Sequence, residues 1–210
     1  MKLYVIVDAA VCDPVATARA AAQGGADFIQ LRYLAATDVE YTAVARAVMG
    51  AIFGTGTQFI VSERPHLVPR LGAAGVHIGE KYRDIQTARE EIGAAAILGV
   101  SQFTPEFIAE HLGEDFPVDY LSVGPVWTTV SKADAGAAIG VDRATELAAS
   151  NPYHSALIGG ITVANLQELA GRLRALPGDV AERAMIVVLG EVCRSVDPAG
   201  AVRALKVALS

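Results

Sequence analysis

Several apolar runs of this 210-residue chain end in polar residues of a kind that buried segments seldom carry. Gln30 and Arg32 stand two apart at the end of one run, so in a strand they face the same side. An arginine there offers a planar fork of donors to an anion, or else pairs with a carboxylate on a neighbouring strand. Ser62-Glu63-Arg64 ends the next run, where Glu63 is either a metal ligand or a partner of Arg64 or Arg32. His77-Ile78-Gly79-Glu80 ends another. A lone histidine on an apolar strand is more often structural than catalytic, while Gly79 suits a place where backbone approaches a ligand. Ser101 follows Gly99-Val100. The stretch Gly124-Pro125-Val126-Trp127-Thr128-Thr129-Val130-Ser131-Lys132 brings hydroxyls and a lysine into one long loop, either a lid over a phosphate or a solvated surface loop. Gly159-Gly160 and Gly190 leave backbone N–H groups open near helix starts, which favours an anion. Two anion sites follow: a monophosphate site at Gly159, Gly160 and Gly190, and a second, gathering Arg32, Ser101, Thr129, Ser131 and Lys132, that suits a diphosphate. The pair suggests a reaction joining two phosphorylated substrates.

The elements that must carry these residues alternate strictly. Short β-branched runs at 3–7, 27–32, 58–61, 75–78, 96–100, 118–123, 155–158 and 185–189 read as strands. Ala-rich stretches of helical period follow them, beginning at Asp13-Pro14, Thr37-Asp38, Pro65, Asp84, Thr104-Pro105, Asp142, Val163 and Asp197. The stretch 176–183 reads as a plain connection. Eight strand–helix units of about 26 residues each imply parallel strands with right-handed crossovers. The predicted fold is a single-domain α/β (β/α)8 TIM barrel over residues 1–210, with a doubly wound open sheet as the alternative. In such a barrel the chemistry lies at the C-terminal strand ends, where the polar residues above fall.

Composition sets bounds on the partners. With 52% hydrophobic residues the chain can bury a large core, and no apolar run reaches transmembrane length. A net charge of −6 leaves no basic face for a nucleic-acid backbone. Small phosphorylated substrates remain the expected partners, with neither nucleic acid nor membrane. The strand-like start at Met1 predicts no signal peptide, and Cys12 and Cys193, lacking metal spacing, read as reduced thiols of a cytoplasmic protein. They follow the first and last strands, neighbours in a closed barrel, so a disulfide between them is sterically conceivable.

An ordered set of motifs resembles the thiamine-phosphate synthase family, which includes thiazole tautomerases. The pieces are Leu3-Tyr4-Val5-Ile6-Val7-Asp8, Gln30-Leu31-Arg32, Gly75-Val76-His77-Ile78-Gly79, Gly99-Val100-Ser101, Asp119-Tyr120 with Gly124-Pro125, Lys132-Ala133-Asp134-Ala135-Gly136 and Ile158-Gly159-Gly160-Ile161. The resemblance implies coupling of hydroxymethylpyrimidine diphosphate to a thiazole phosphate, with diphosphate leaving and Mg²⁺ bridging its oxygens. It implies that Gln30, Arg32, Ser101 and Lys132 hold the diphosphate, with Arg32, Ser101 and Lys132 catalytic. Thr129 and Ser131 would meet both substrates, and Gly159, Gly160 and Gly190 the thiazole phosphate. Ser62-Glu63 stands where the family has Asn-Asp, which places Ser62 at the substrate and Glu63 at the metal. Leu34 replaces a family lysine, Tyr82 a second Mg²⁺ aspartate and Gly190 a serine, with Asp84 the nearest substitute for that aspartate. The diphosphate half is thus the altered half. Two other readings stay open: a tautomerase-like isomerase, although Pro125 stands where family tautomerases carry a histidine, and a non-catalytic binder of thiazole phosphate or thiamine phosphate. Family members often self-associate, so a homo-oligomer is among the expectations.

Overall fold

Valine, isoleucine and leucine fill the strand runs because both faces of each strand are covered, one by helices and one by the interior of a barrel. The computed structural model describes residues 1–79, 84–101, 117–131 and 136–210. Its strands are β1 (Lys2–Asp8), β2 (Phe28–Arg32), β3 (Gln58–Ser62), β4 (Gly75–Ile78), β5 (Ile97–Val100), β6 (Tyr120–Val123), β7 (His154–Ile158) and β8 (Ala184–Val188). They pair in parallel and in sequence order, and β8 returns to β1 through Lys2–Met185 to Val5–Val188, closing the barrel. The expected eight-stranded parallel barrel is the observed one, with strand ends within two residues of those expected from sequence.

Among the described residues the helices are α1 (Pro14–Gln23), α2 (Asp38–Ile52), α3 (Leu67–Leu71), α4 (Ile85–Ile92), α5 (Gly140–Ser150), α6 (Val163–Arg174), α7 (Val180–Arg183), α8 (Gly190–Cys193) and α9 (Pro198–Ala208). Their starts follow the capping chemistry of the sequence. Asp13 accepts from the Val15 and Ala16 N–H groups with Pro14 at the first position, and Thr37 and Thr162 each form a reciprocal capping box. The stretch 176–183, read as a plain connection, contains the short α7, and α8 was not foreseen at all. The helix expected from Thr104-Pro105 lies outside the described residues. No helix among those described is long and apolar enough to cross a membrane.

Two cores result. The larger lies between strands and helices, with Leu3, Val5, Ile29, Leu98, Leu121 and Leu166 fully buried. The smaller fills the barrel with Tyr4, Ile6, Ile60, Tyr120, Ala156, Met185 and Val187. In register, His77, Gly99 and Tyr120 are successive neighbours across β4, β5 and β6. Gly99 leaves a gap that the Tyr120 ring enters. A Cβ on residue 99 would lie 1.9 Å from the Tyr120 Cζ. Across that gap the His77 and Tyr120 rings stack at 5.6 Å.

Candidate active site at the barrel mouth

Above the inner core a cavity of about 460 Å³ opens at the C-terminal strand ends, in the size range of small-molecule sites. It is lined from all sides of the barrel, including Gln30, Arg32, Ser62, Glu63, Ser101, Thr129, Ser131, Gly159, Gly160 and Gly190. Every sequence-predicted site residue that is described lines this one cavity. Lys132, Glu80 and Tyr82 lie outside the described residues.

A chain of hydrogen bonds crosses the cavity floor. Tyr4 donates to Gln30 Oε1 at 2.9 Å, the Tyr4 and Tyr120 hydroxyls lie 3.1 Å apart, and His77 reaches Tyr120 through Nδ1 at 3.0 Å and Ser101 Oγ through Nε2 at 2.9 Å. Burial pushes both phenols well above their ordinary pKa, so both remain protonated. The protons then have one consistent order with a neutral imidazole. Tyr4 gives its proton to Gln30, so Tyr120 donates to Tyr4, His77 Nδ1–H donates to Tyr120, and Ser101 donates to Nε2. The Gln30 amide thereby turns its NH₂ away from Tyr4. The aromatic and imidazole members of this chain were not assigned from the sequence: Tyr4 and Tyr120 are 116 positions apart, and only barrel closure brings them together.

On the side of β1 to β4, Arg32 is bonded to the buried Asp8 carboxylate, its register partner on β1. Asp8 is 3% exposed and its other oxygen accepts the Ala10 N–H at 2.9 Å. Of the two readings for Arg32, the pairing with a neighbouring carboxylate is thus realised, while the guanidinium still lines the cavity. Glu63 pairs with neither arginine. Arg64 instead bonds Asp38 and the Ala36 carbonyl and lies 4.6 Å over the Tyr41 ring. Tyr41 in turn bonds the Leu31 carbonyl and the Ser62 N–H, which fixes the end of β3. Glu63 is held at φ 61°, a conformation that costs a non-glycine residue energy and marks sites under functional constraint. Its Oε1 sits 2.7 Å from where a Cβ on residue 79 would stand, so Gly79, which also lines the cavity, makes room for this carboxylate. Asp84 does not stand in for a metal aspartate. It caps α4, accepting the Thr87 N–H and hydroxyl, which hold its carboxyl below the ordinary value. Among the described residues no three His, Cys, Asp or Glu side chains gather closely enough to hold a metal ion.

On the side of β6 to β8 the long loop is less free than its length suggests. The Val126 and Trp127 N–H groups bond the Ile158 and Gly159 carbonyls, and Ile139 and Gly140 bond back to Pro125 and Val126. Both arms of the loop are therefore pinned at its base, and residues 128–131 project over the cavity. Gly160 is required for this packing: its φ is +65°, and a Cβ there would meet the Thr128 carbonyl oxygen at 2.6 Å. Gly190 opens α8, and the side chain of Arg194 folds back over it to place Nη1 3.4 Å from Ser131 Oγ. Arg194 lines the cavity and was missed from the sequence. The thiols of Cys12 and Cys193 are free, Cys12 donating to the Asp8 carbonyl at 3.5 Å and Cys193 to the Ile6 carbonyl at 3.2 Å. The neighbouring Cys193 thiol pulls the Cys12 pKa down to about 6, while Cys193 itself is pushed up.

A family model described as thiamine monophosphate synthase matches residues 3–175. A thiamine-phosphate synthase of Xanthobacter autotrophicus is 34% identical, over 100% of this chain and 95% of the relative. One of Roseiflexus castenholzii is 38% identical over 89% and 77%. The solved thiamine phosphate pyrophosphorylase of Pyrococcus furiosus superposes with a TM-score of 0.84 at 27% identity, covering 99% of this chain and 95% of that one. A 3-hexulose-6-phosphate synthase of Salmonella typhimurium, at 16% identity with TM-score 0.72 and coverage of 100% and 98%, shares the fold.

Proposed function

The chain belongs to the thiamine monophosphate synthase family, and from that premise we propose that it joins hydroxymethylpyrimidine diphosphate to a thiazole phosphate and releases diphosphate. Its relatives identify it as an enzyme of thiamine biosynthesis, a transferase. The single observation that supports the specific reaction is that both candidate anion sites open into one cavity: Arg32 and Ser101 on one side, Gly159, Gly160, Gly190 and Ser131 on the other.

In this reading the bond from the pyrimidine methylene carbon to the diphosphate oxygen breaks, and its electron pair leaves with the diphosphate. The thiazole nitrogen then closes a new bond to that carbon with its own lone pair. The work of the protein is electrostatic: donors are aimed at the oxygens where negative charge grows. Arg32 contributes the donors that Asp8 does not occupy. Ser101, anchored to His77, and Lys132, assigned by resemblance, meet the same diphosphate. Gln30, turned by Tyr4, offers its NH₂ to an acceptor on this substrate. Ser62 lines the same wall. Thr129 and Ser131 project between the two substrates, with the Thr129 hydroxyl fixed by the Ser131 N–H at 3.2 Å.

Glu63 is the residue that would hold Mg²⁺. A single carboxylate fits an ion that takes most of its ligands from phosphate oxygens and water, the usual habit of Mg²⁺. When bound, the ion offsets the charge on the departing diphosphate. The test is to give the purified protein both substrates with Mg²⁺ and follow diphosphate and thiamine phosphate together. Equal release of both is expected. Retained thiazole-phosphate binding without diphosphate release, across metals and pH, overturns the proposal in favour of a non-catalytic binder.

A further inference from the structure

Among the described residues two arginines line the cavity, and their circumstances differ. Arg32 is bonded to the Asp8 carboxylate. Arg194 has no carboxylate within 4.0 Å among the described residues, and its one side-chain partner there is Ser131 Oγ at 3.4 Å. The nearby carboxylate of Glu191, which also lines the cavity, is engaged by the Val163 N–H at 3.1 Å. Arg194 reaches its place because residue 190 has no side chain. A Cβ on Gly190 would lie 2.3 Å from the Arg194 Nη1, closer than any real contact allows. Gly190 lies in α8 and is not among the glycines with positive φ, so its backbone does not demand glycine. A side chain there would instead have to push the guanidinium out of its present place.

Resting on the function proposed above, we infer that Arg194 is the cationic anchor for the monophosphate substrate, and that Gly190 is the vacancy that lets it act. Arg194 donates to Ser131 Oγ and so turns the Ser131 hydroxyl proton away from itself, as a further donor. Guanidinium and hydroxyl stand beside Gly190 and line the same cavity as Gly159 and Gly160, the glycines to which the sequence assigned the monophosphate. A planar fork of donors at the rim matches phosphate oxygens and gains nothing from an uncharged alcohol. Arg194 therefore selects the phosphorylated thiazole over the free alcohol.

The experiment measures binding and turnover in the full-length protein. Thiazole phosphate, the unphosphorylated thiazole alcohol and inorganic phosphate are titrated by calorimetry and by the fluorescence of Trp127, the one tryptophan of the chain. Arg194→Ala weakens thiazole-phosphate binding about ten- to hundredfold, raises its KM in step and leaves the KM for the pyrimidine diphosphate unchanged. Binding of the alcohol does not move. Arg194→Lys recovers part of the loss. Gly190→Ala, by displacing the guanidinium, weakens thiazole-phosphate binding in the wild type and adds nothing in the Arg194→Ala background, a coupling that a merely structural arginine would not produce. Wild-type affinity in Arg194→Ala, or additive effects of the two changes, overturns this inference and leaves the proposed reaction standing. Failure of the wild type itself to bind thiazole phosphate overturns both.

Discussion

Among the described residues the rim over β7 and β8 presents glycine backbone, a serine hydroxyl, the Glu191 carboxylate engaged by a backbone N–H, and an arginine bonded to no carboxylate, whereas the rim over β1 to β3 holds an arginine bonded to a carboxylate and a glutamate in left-handed backbone. An anion arriving at the first meets a guanidinium whose described side-chain partner is the Ser131 hydroxyl. At the second it must share Arg32 with Asp8 and stand near Glu63, so its binding has to overcome negative charge already in place. The first rim is therefore preorganised for a phosphate, and the second relies on what the substrate brings, including any cation bound to its diphosphate. One barrel can thus hold a ready half and a conditional half, and the two halves should respond differently to mutation.

The largest separation should come from Arg32. Arg32→Ala removes the one described cation of the conditional half and strands Asp8, which is 3% exposed, without its partner. Diphosphate release should fall roughly 10²–10³-fold in kcat/KM, since preorganised donors carry the leaving-group charge. Stability should drop by about 2–4 kcal/mol, less than for a fully buried pair because Arg32 is partly exposed. Asp8→Asn sharpens the contrast: it keeps an acceptor for Ala10 and removes the competing charge. It should tighten diphosphate binding several-fold, by about 1 kcal/mol, and leave the thiazole-phosphate KM alone. An Asp8→Asn protein with weaker diphosphate binding would show that Asp8 positions Arg32 rather than competing for it.

Next in size is Gly160→Ala, aimed at the ready half. The added Cβ meets the Thr128 carbonyl and the Trp127 Cβ in a backbone of φ +65°. The loop must shift, so the KM for thiazole phosphate should rise about tenfold, with a stability cost of about 1–3 kcal/mol. The KM for the pyrimidine diphosphate should change less. Equal effects on both substrates would break the division into halves.

The division could be read only in part from the sequence. The eight strands were legible because β-branched runs, prolines and capping residues such as Asp13, Thr37 and Thr162 punctuate the chain, and the strand-end rule then placed Gln30, Arg32, Ser101, Gly159, Gly160 and Gly190 at the mouth. The partner of Arg32 needed one further step, the β1–β2 register that sets Asp8 against it. Arg194 was hidden because α8 is four residues long, too short for any periodicity to show. The floor of the cavity was hidden for another reason. Gln30, Tyr4, Tyr120, His77 and Ser101 come from five strands, and nothing local in the sequence relates their side chains. Gly79 lines the cavity as its strand-end position suggested, and the sequence did not show that it also leaves room for Glu63.

That floor ties together Gln30 and Ser101, the two residues at its ends that serve the diphosphate, and Tyr120→Phe tests whether it holds them. The change removes one hydroxyl that serves Tyr4 and His77 together. Leaving the buried Tyr4 hydroxyl and the half-buried His77 ring each one hydrogen bond fewer costs about 1–3 kcal/mol. Because the Gln30 and Ser101 orientations lose their shared reference, kcat/KM should fall by a factor of about three to ten, an effect modest beside that of Arg32. Thermal unfolding and steady-state kinetics of one protein suffice. Full stability with unchanged kinetics would mean that Gln30 and Ser101 are each fixed independently.

The smallest effect concerns the seam between the halves, where Cys12 follows β1 and Cys193 ends α8. The neighbouring Cys193 thiol favours the Cys12 thiolate and lowers its pKa from the ordinary value to about 6. A lowered pKa means that the proton leaves earlier as pH rises, so alkylation of Cys12 by iodoacetamide should rise through pH 6 and level off near neutrality, where an ordinary cysteine is still far from its plateau. Because the folded protein holds this proton less tightly than the unfolded chain, the same group contributes stability above the ordinary thiol pKa and loses that contribution as pH falls through about 6. Cys193→Ala removes the neighbouring thiol and should return the alkylation midpoint toward the ordinary thiol value, with turnover nearly unchanged because neither thiol lines the cavity. If the midpoint already lies above pH 8 in the wild type, the two thiols do not share a proton, and the two halves of the mouth meet at this seam without any coupling through sulfur.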